Sequence, residues 1–156
     1  MPRLMDEALR ALQHPDPQVV GDGLLLAASF FEHAHGQTQG LIRMDVVTEP
    51  ATPANLARLK QSLMTLIDSH RSTDLTGSAI WALGKSYQKE LTPYFVNLLR
   101  EYLDQDSGVL YQTMIALDNL EENVFDGRNS VSIKDEYENQ MLAAAYIKRV
   151  DAGVGE

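Results

Sequence analysis

The residues best suited to chemistry in this chain are Glu32-His33-Ala34-His35. An acid followed three positions later by histidine puts both side chains on one helical face. Carboxylate-bridged two-metal sites use such steps, but they need a second copy on a facing helix. The other histidines, His14 and His70, lie in no such step. A positive imidazole is favoured near a helix C-terminus, so the segment reads as a polar helix end. His14 with Asp16, and Asp68 with His70, have the types for acid–base work, but each pair sits where a turn and a cap explain it. Ser78, Ser86 and Ser107 lack the strand–turn–helix setting of a nucleophile elbow. Gly21-Asp22-Gly23 is followed by neither the third glycine nor the Lys-Ser/Thr of a phosphate-cradling loop. The chain has no cysteine, which excludes disulfides, thiolate zinc sites and thiol nucleophiles. No catalytic residue, metal site or cofactor is therefore expected, and the chain is not expected to be an enzyme.

Charge points instead to a partner. The 156 residues carry a formal net charge of −9, a field that repels a phosphate backbone and steers in basic proteins. The acids are unevenly placed. Between residues 100 and 140 there are ten acids, among them Glu101, Asp104, Asp106 and Asp118, against three bases, Arg100, Arg128 and Lys134. At 44% hydrophobic the chain can fill a core, and its length suits one domain. The start, Met1 to Glu7, has no apolar leader core, and the longest apolar stretch, Leu24 to Ala28, is far short of a membrane span. A cytoplasmic protein with no nucleic-acid or membrane partner is expected.

The elements that would carry these residues are helices. Leu4, Ala8, Leu9, Ala11 and Leu12 share one face of a first helix that stops before His14-Pro15. Asp16-Pro17 reads as a cap followed by a proline at the first helical position. The second helix then runs to about His35, burying Val20, Leu24, Ala27, Ala28 and Phe31. Gly21 and Gly23 mark a close helix–helix approach. Residues 36–51 read as an inserted loop. Thr52-Pro53 repeats the cap-then-proline start, with Leu56, Leu59, Leu63, Leu66 and Ile67 behind it, and a helix from about Leu75 to Tyr87 follows. Thr92-Pro93 opens another, which buries Phe95, Leu98, Leu99, Tyr102 and Leu103; its partner runs from about Val109 to Glu121. Val124-Phe125 and Val131 could form a small hairpin around Asp126-Gly127. Ser132 with Asp135 suggests a capping box before a last helix that packs through Met141, Leu142, Ala145 and Ile147. A single domain over 1–151 and a flexible tail over 152–156 follow.

Ala82-Leu83 and Ala116-Leu117 lie 34 residues apart, and a helix pair recurring at that spacing marks a solenoid. Thr92-Pro93, Leu98-Leu99, Asp104-Gln105-Asp106, Val109 and Ala116-Leu117 together resemble a HEAT-like repeat. Looser copies run through Leu12, Pro15, Asp16, Val20 and Ala27-Ala28, and through Leu66-Ile67-Asp68, Leu75 and Ala82-Leu83. The basic residue that the family carries early in its second helix is missing here, where Gly21-Asp22, Thr76-Gly77 and Tyr111-Gln112 stand. The resemblance implies an all-α, short right-handed solenoid of about three antiparallel helix pairs plus a C-terminal helix, with the second helices lining the concave face. Trp81, near Lys85, lies opposite Ala79 and Leu83 on its helical wheel, and Tyr111 is placed similarly on the next pair. Asp118, Glu121 and Glu122 end a helix whose dipole they oppose. These six residues, Trp81, Lys85, Tyr111, Asp118, Glu121 and Glu122, are the expected partner-binding set. Some immunity proteins that neutralise bacterial toxins look like small HEAT-like bundles. The expected function is therefore binding and neutralising a basic, nuclease-type toxin; a general repeat adaptor and a tetrapyrrole-handling HEAT-like lyase are the rivals.

Overall fold

A computed structural model describes residues 3–38, 51–127 and 135–153, and every described element is helical: seven α-helices and one 3₁₀ turn. Among the described residues no helix is long and apolar enough to cross a membrane. The chain packs into two compact units, Met1–Tyr87 and Gln88–Glu156.

In the first unit, α1 (Arg3–Ala11) buries Met5, Ala8 and Leu9, and Leu12 just beyond it completes the i, i+3, i+4, i+7 stripe of an amphipathic helix. Leu4 and Ala11, expected inward, are half-exposed, and Met5 takes the inner position. The turn forms as its residues dictate. The Asp16 carboxylate accepts from the Gln18 N–H at 2.9 Å and its carbonyl from the Val20 N–H at 3.1 Å, while His14 Nδ1 accepts from the Asp16 N–H at 3.0 Å. From Pro17, α2 (Pro17–Thr38) runs three residues past His35. Its core residues are Val20, Leu24, Ala27, Ala28, Phe30 and Phe31. Gly23 meets the end of α1, where a Cβ would stand 2.8 Å from Ala11 Cβ and 3.2 Å from the Leu12 nitrogen. Gly21 faces open space, so the expected close approach belongs to Gly23 alone. Most of the inserted loop expected over 36–51 lies outside the described residues.

Thr52 caps α3 (Pro53–Ser69) by accepting from the Asn55 N–H at 3.1 Å, with Pro53 in the first turn. Leu59, Leu63, Leu66 and Ile67 are buried, and Leu56 is half-buried. The helix closes at His70, which is left-handed at φ 54°. Ser72 caps α4 (Thr73–Gly84), which buries Leu75, Ala79, Ile80, Ala82 and Leu83. It stops three residues short of Tyr87, where the backbone turns left-handed at φ 53°. The pairs α1/α2 and α3/α4 pack internally, α2 packs on α4, and α1 on α3. Arg71 joins their turns, donating to the carbonyls of His14 at 2.9 Å and Pro15 at 2.7 Å.

In the second unit, a 3₁₀ turn at Lys89–Leu91 leads into α5 (Thr92–Tyr102), which packs on α6 (Ser107–Asn119). Phe95, Val96, Leu98, Leu99 and Tyr102 face inward from α5, and Leu103 is half-buried; Val109, Leu110, Met114, Ala116 and Leu117 face inward from α6. After α6 the chain makes turns rather than a strand. Val124 and Phe125 are buried, Asp126 and Gly127 take positive φ, and Val131 and Ser132 lie outside the described residues. The last helix, α7 (Glu136–Asp151), packs on α6 and α5. Its inner face is Asn139, Leu142, Ala143 and Tyr146, so the expected face is turned: Met141 and Ala145 point outward. Burial of Tyr146 sets that rotation, because its hydroxyl finds a carboxylate inside the unit.

The 34-residue step is written into local geometry as well as composition. Ser72 and Asp106, 34 residues apart, cap α4 and α6 alike, accepting from Leu75 N–H at 3.1 Å and Val109 N–H at 2.9 Å. Tyr87 and Glu121, again 34 apart, are the left-handed residues beyond the same two helices.

Candidate interaction surface

The Glu32–His35 step does place both side chains on one face of α2, and that face meets the end of α4. Lys85 Nζ lies 3.9 Å from a Glu32 oxygen. The His35 ring stacks on Tyr87, with centroids 4.0 Å apart and planes 19° from parallel. Lys85 also sits over the Trp81 ring, 5.6 Å from its centroid, within cation–π range. Trp81 itself is half-buried, Ala79 and Leu83 being turned to the core. In the first unit, then, two of the expected binding residues, Trp81 and Lys85, join Glu32, His35 and Tyr87 in one aromatic and charged cluster. Periodicity placed Trp81 but not this company, since Glu32 and Lys85 are 53 residues apart.

His70 and Asp68, weighed as an acid–base pair, are local. His70 Nδ1 and the Asp68 carbonyl oxygen share a hydrogen bond at 2.8 Å across the turn. Among the described residues, no group of three or more His, Asp or Glu stands close enough to hold a metal. His33 Nδ1 is buried with no hydrogen-bond partner among the described residues.

The other four expected residues lie in the second unit. Tyr111 is half-buried and meets Phe125 edge to face, ring centroids 6.5 Å apart. Asp118 is exposed, and its carbonyl closes the helix end. There the Glu122 N–H donates to the Leu117 carbonyl at 3.0 Å and the Glu121 N–H to the Asp118 carbonyl at 2.9 Å, with Glu121 left-handed at φ 66°. This is a Schellman ending in which glutamate stands where glycine is usual. The Glu121 side chain pairs in solvent with Lys89 at 2.9 Å. That hydrogen bond holds its carboxyl below the ordinary range and raises the Lys89 ammonium.

Glu122 turns the opposite way. It is half-buried and accepts from the Tyr146 hydroxyl at 2.5 Å. Burial, and then this bond, push the Tyr146 phenol well above its usual range. Arg149 stands 5.8 Å from the Tyr146 ring centroid and donates to the Asn123 carbonyl at 2.7 Å, fixing α7 to the turn after α6. Glu122 and Tyr146 also line a cleft of about 470 Å³ with Pro93, Val96 and Val150. The two neighbouring acids therefore differ in kind: Glu121 faces solvent, while Glu122 serves the packing of α7. The chain matches no protein-family model, no curated protein and no solved structure.

Proposed function

We propose that this all-α chain is a short HEAT-like solenoid that acts by binding a basic protein, in the form of an immunity protein that neutralises a nuclease-type toxin. The observation that carries this reading is the distribution of charge. The chain is −9 overall, with ten acids against three bases between residues 100 and 140, and Glu101, Asp104, Asp118, Glu121, Asp126 and Glu136 of that stretch are exposed. A nuclease is basic because it must bind phosphates, so an acidic inhibitor imitates its substrate and associates fast. The pairwise packing of α1/α2, α3/α4 and α5/α6 and the shared 34-residue geometry of caps and exits support the repeat reading. The Trp81–Lys85 cluster supplies an aromatic anchor of the kind that dominates protein interfaces.

The test joins genome and bench. A gene beside this one should encode a basic toxin domain. The two purified proteins should form a complex whose association slows as salt rises, and the mixture should lose nuclease activity. Failure to form a complex, or a neighbouring gene for an unrelated enzyme with no toxin nearby, overturns the reading.

A further inference from the structure

Among the described residues of the second unit, the exposed large apolar side chains lie on the outer face of α7. Tyr137 and Met141, four residues apart and so stacked along one side of the helix, are 75% and 55% exposed, and Ala144 and Ala145 continue the stripe in solvent. Only one other large apolar side chain among the described residues is as open, Leu25 on α2 at 60%. A single exposed apolar residue is ordinary, whereas a contiguous stripe marks a surface that something covers. No described residue covers this one.

Charge says what the cover is. At its first turn the stripe runs into a groove of about 520 Å³ lined by Asp104, Asp106, Glu136 and Tyr137, with Ser107 and Gln140. Among the described residues, none that lines it is a cation. Asp106 is engaged in capping α6, and Asp104 accepts from the Gln140 amide, which also donates to the Leu103 carbonyl at 3.1 Å. These bonds hold the acids in place without neutralising them. The exposed Tyr137 also lines the groove, so an aromatic side chain stands beside the carboxylates. At the other end of the helix stand Lys148 and Arg149. The stripe is thus acidic at its start, apolar along its middle and basic at its end.

We propose that this face docks an amphipathic helix of a partner protein, its Lys or Arg residues in the Asp104–Asp106–Glu136 groove and its apolar side against Tyr137, Met141, Ala144 and Ala145. The inference rests on the reading that the protein binds a basic partner, and it adds where that partner engages and with what secondary structure. It is distinct from the Trp81–Lys85 cluster, which lies in the other unit.

The probe is a synthetic amphipathic helix with leucines on one face and lysines and arginines clustered toward one end, titrated into the full-length, isotope-labelled protein. Amide shifts should map to α7 and to residues 104–107. Met141→Asp should weaken binding by about tenfold or more, the loss typical of a hot-spot residue. The double variant Asp104→Asn with Glu136→Gln should weaken it severalfold and flatten its salt dependence, and both variants should keep the wild-type circular dichroism. A charge-reversed peptide should fail to bind. Equal binding of the reversed peptide, shifts elsewhere, no shifts at millimolar peptide, or wild-type affinity in Met141→Asp would each overturn the site. So would a concentration-dependent dimer that Met141→Asp dissolves, since the occupant would then be a second copy. A toxin that binds the wild type and Met141→Asp equally would remove this site and leave the basic-partner reading standing. A protein that binds neither toxin nor peptide would remove both.

Discussion

Gly21 and Gly23 sit two positions apart in α2 and make opposite demands on a methyl group. At Gly23 the new Cβ would meet the Ala11 Cβ at 2.8 Å and the backbone nitrogen of Leu12 at 3.2 Å, and backbone cannot move aside cheaply. Gly23→Ala should therefore destabilise the fold by about 1–3 kcal/mol, the usual cost of overpacking. Gly21→Ala meets nothing within 4 Å and should stabilise it by about 0.5–1 kcal/mol, since alanine loses less freedom in a helix. Denaturant midpoints of the two variants check the pair. Tyr146 carries a second prediction at this scale. Its phenol is raised in the folded state by burial and by Glu122, so the unfolded chain ionises first. The stability it contributes is complete below about pH 10, the ordinary tyrosine value, and is lost as pH rises through the folded value. Tyr146→Phe should cost about 1–3 kcal/mol at neutral pH by leaving Glu122 without its donor. It should also lose less stability than the wild type as pH rises above 10, which chemical melts across that range would measure. Sequence pattern pointed to a close approach near these glycines but not to which of them makes it, because that depends on where the end of α1 lands.

At the scale of the helix, endings proved harder to read than beginnings. The caps at Asp16 and Thr52 were legible because a short polar residue before a proline at a helix start declares its own hydrogen bond, whereas Asp106 reads in sequence only as part of an acidic turn. The exits at His70, Tyr87 and Glu121 were not, since none carries the glycine that signals a left-handed residue. A left-handed glutamate costs about 1–2 kcal/mol relative to glycine. Glu121→Gly and Glu121→Ala both delete the exposed pair with Lys89, so their difference isolates the backbone. The glycine variant should be the more stable by about 1 kcal/mol in thermal or urea melts. The face of α7 is hidden from the sequence for a related reason. Met141 and Ala145 look like core in sequence, but the buried Tyr146 needs an acceptor, and Glu122 offers one only when the helix is turned to bring Asn139, Leu142 and Ala143 inward. Distant pairings of this kind leave no periodic trace.

For the molecule as a whole, charge and helix content were plain in composition, and the companions of the expected binding residues were not. Trp81 and Lys85 could be named from their helix, but Glu32 and Tyr87 join them only through packing. Two exposed ion pairs contribute to the acid side of the stability profile. Asp151 is lowered by the hydrogen bond from Arg100, and Glu121 by the one from Lys89. A depressed carboxyl contributes stability that is present above the unfolded carboxylate value, near pH 4, and fades as pH falls through the folded one. Stability should therefore decline below about pH 4, and Asp151→Asn should make that decline shallower, as followed by urea midpoints at stepped pH.

The half-buried Trp81 is the chain's one tryptophan, and it lies in the Met1–Tyr87 unit. An indole reporter thus stands in one unit and none in the other. Indole fluorescence, selectively excited, follows the loss of the first unit, while far-ultraviolet ellipticity follows helices in both. Overlaid melting curves would mean that the two units unfold as one cooperative body. Separated curves would assign each transition to its unit without a single substitution.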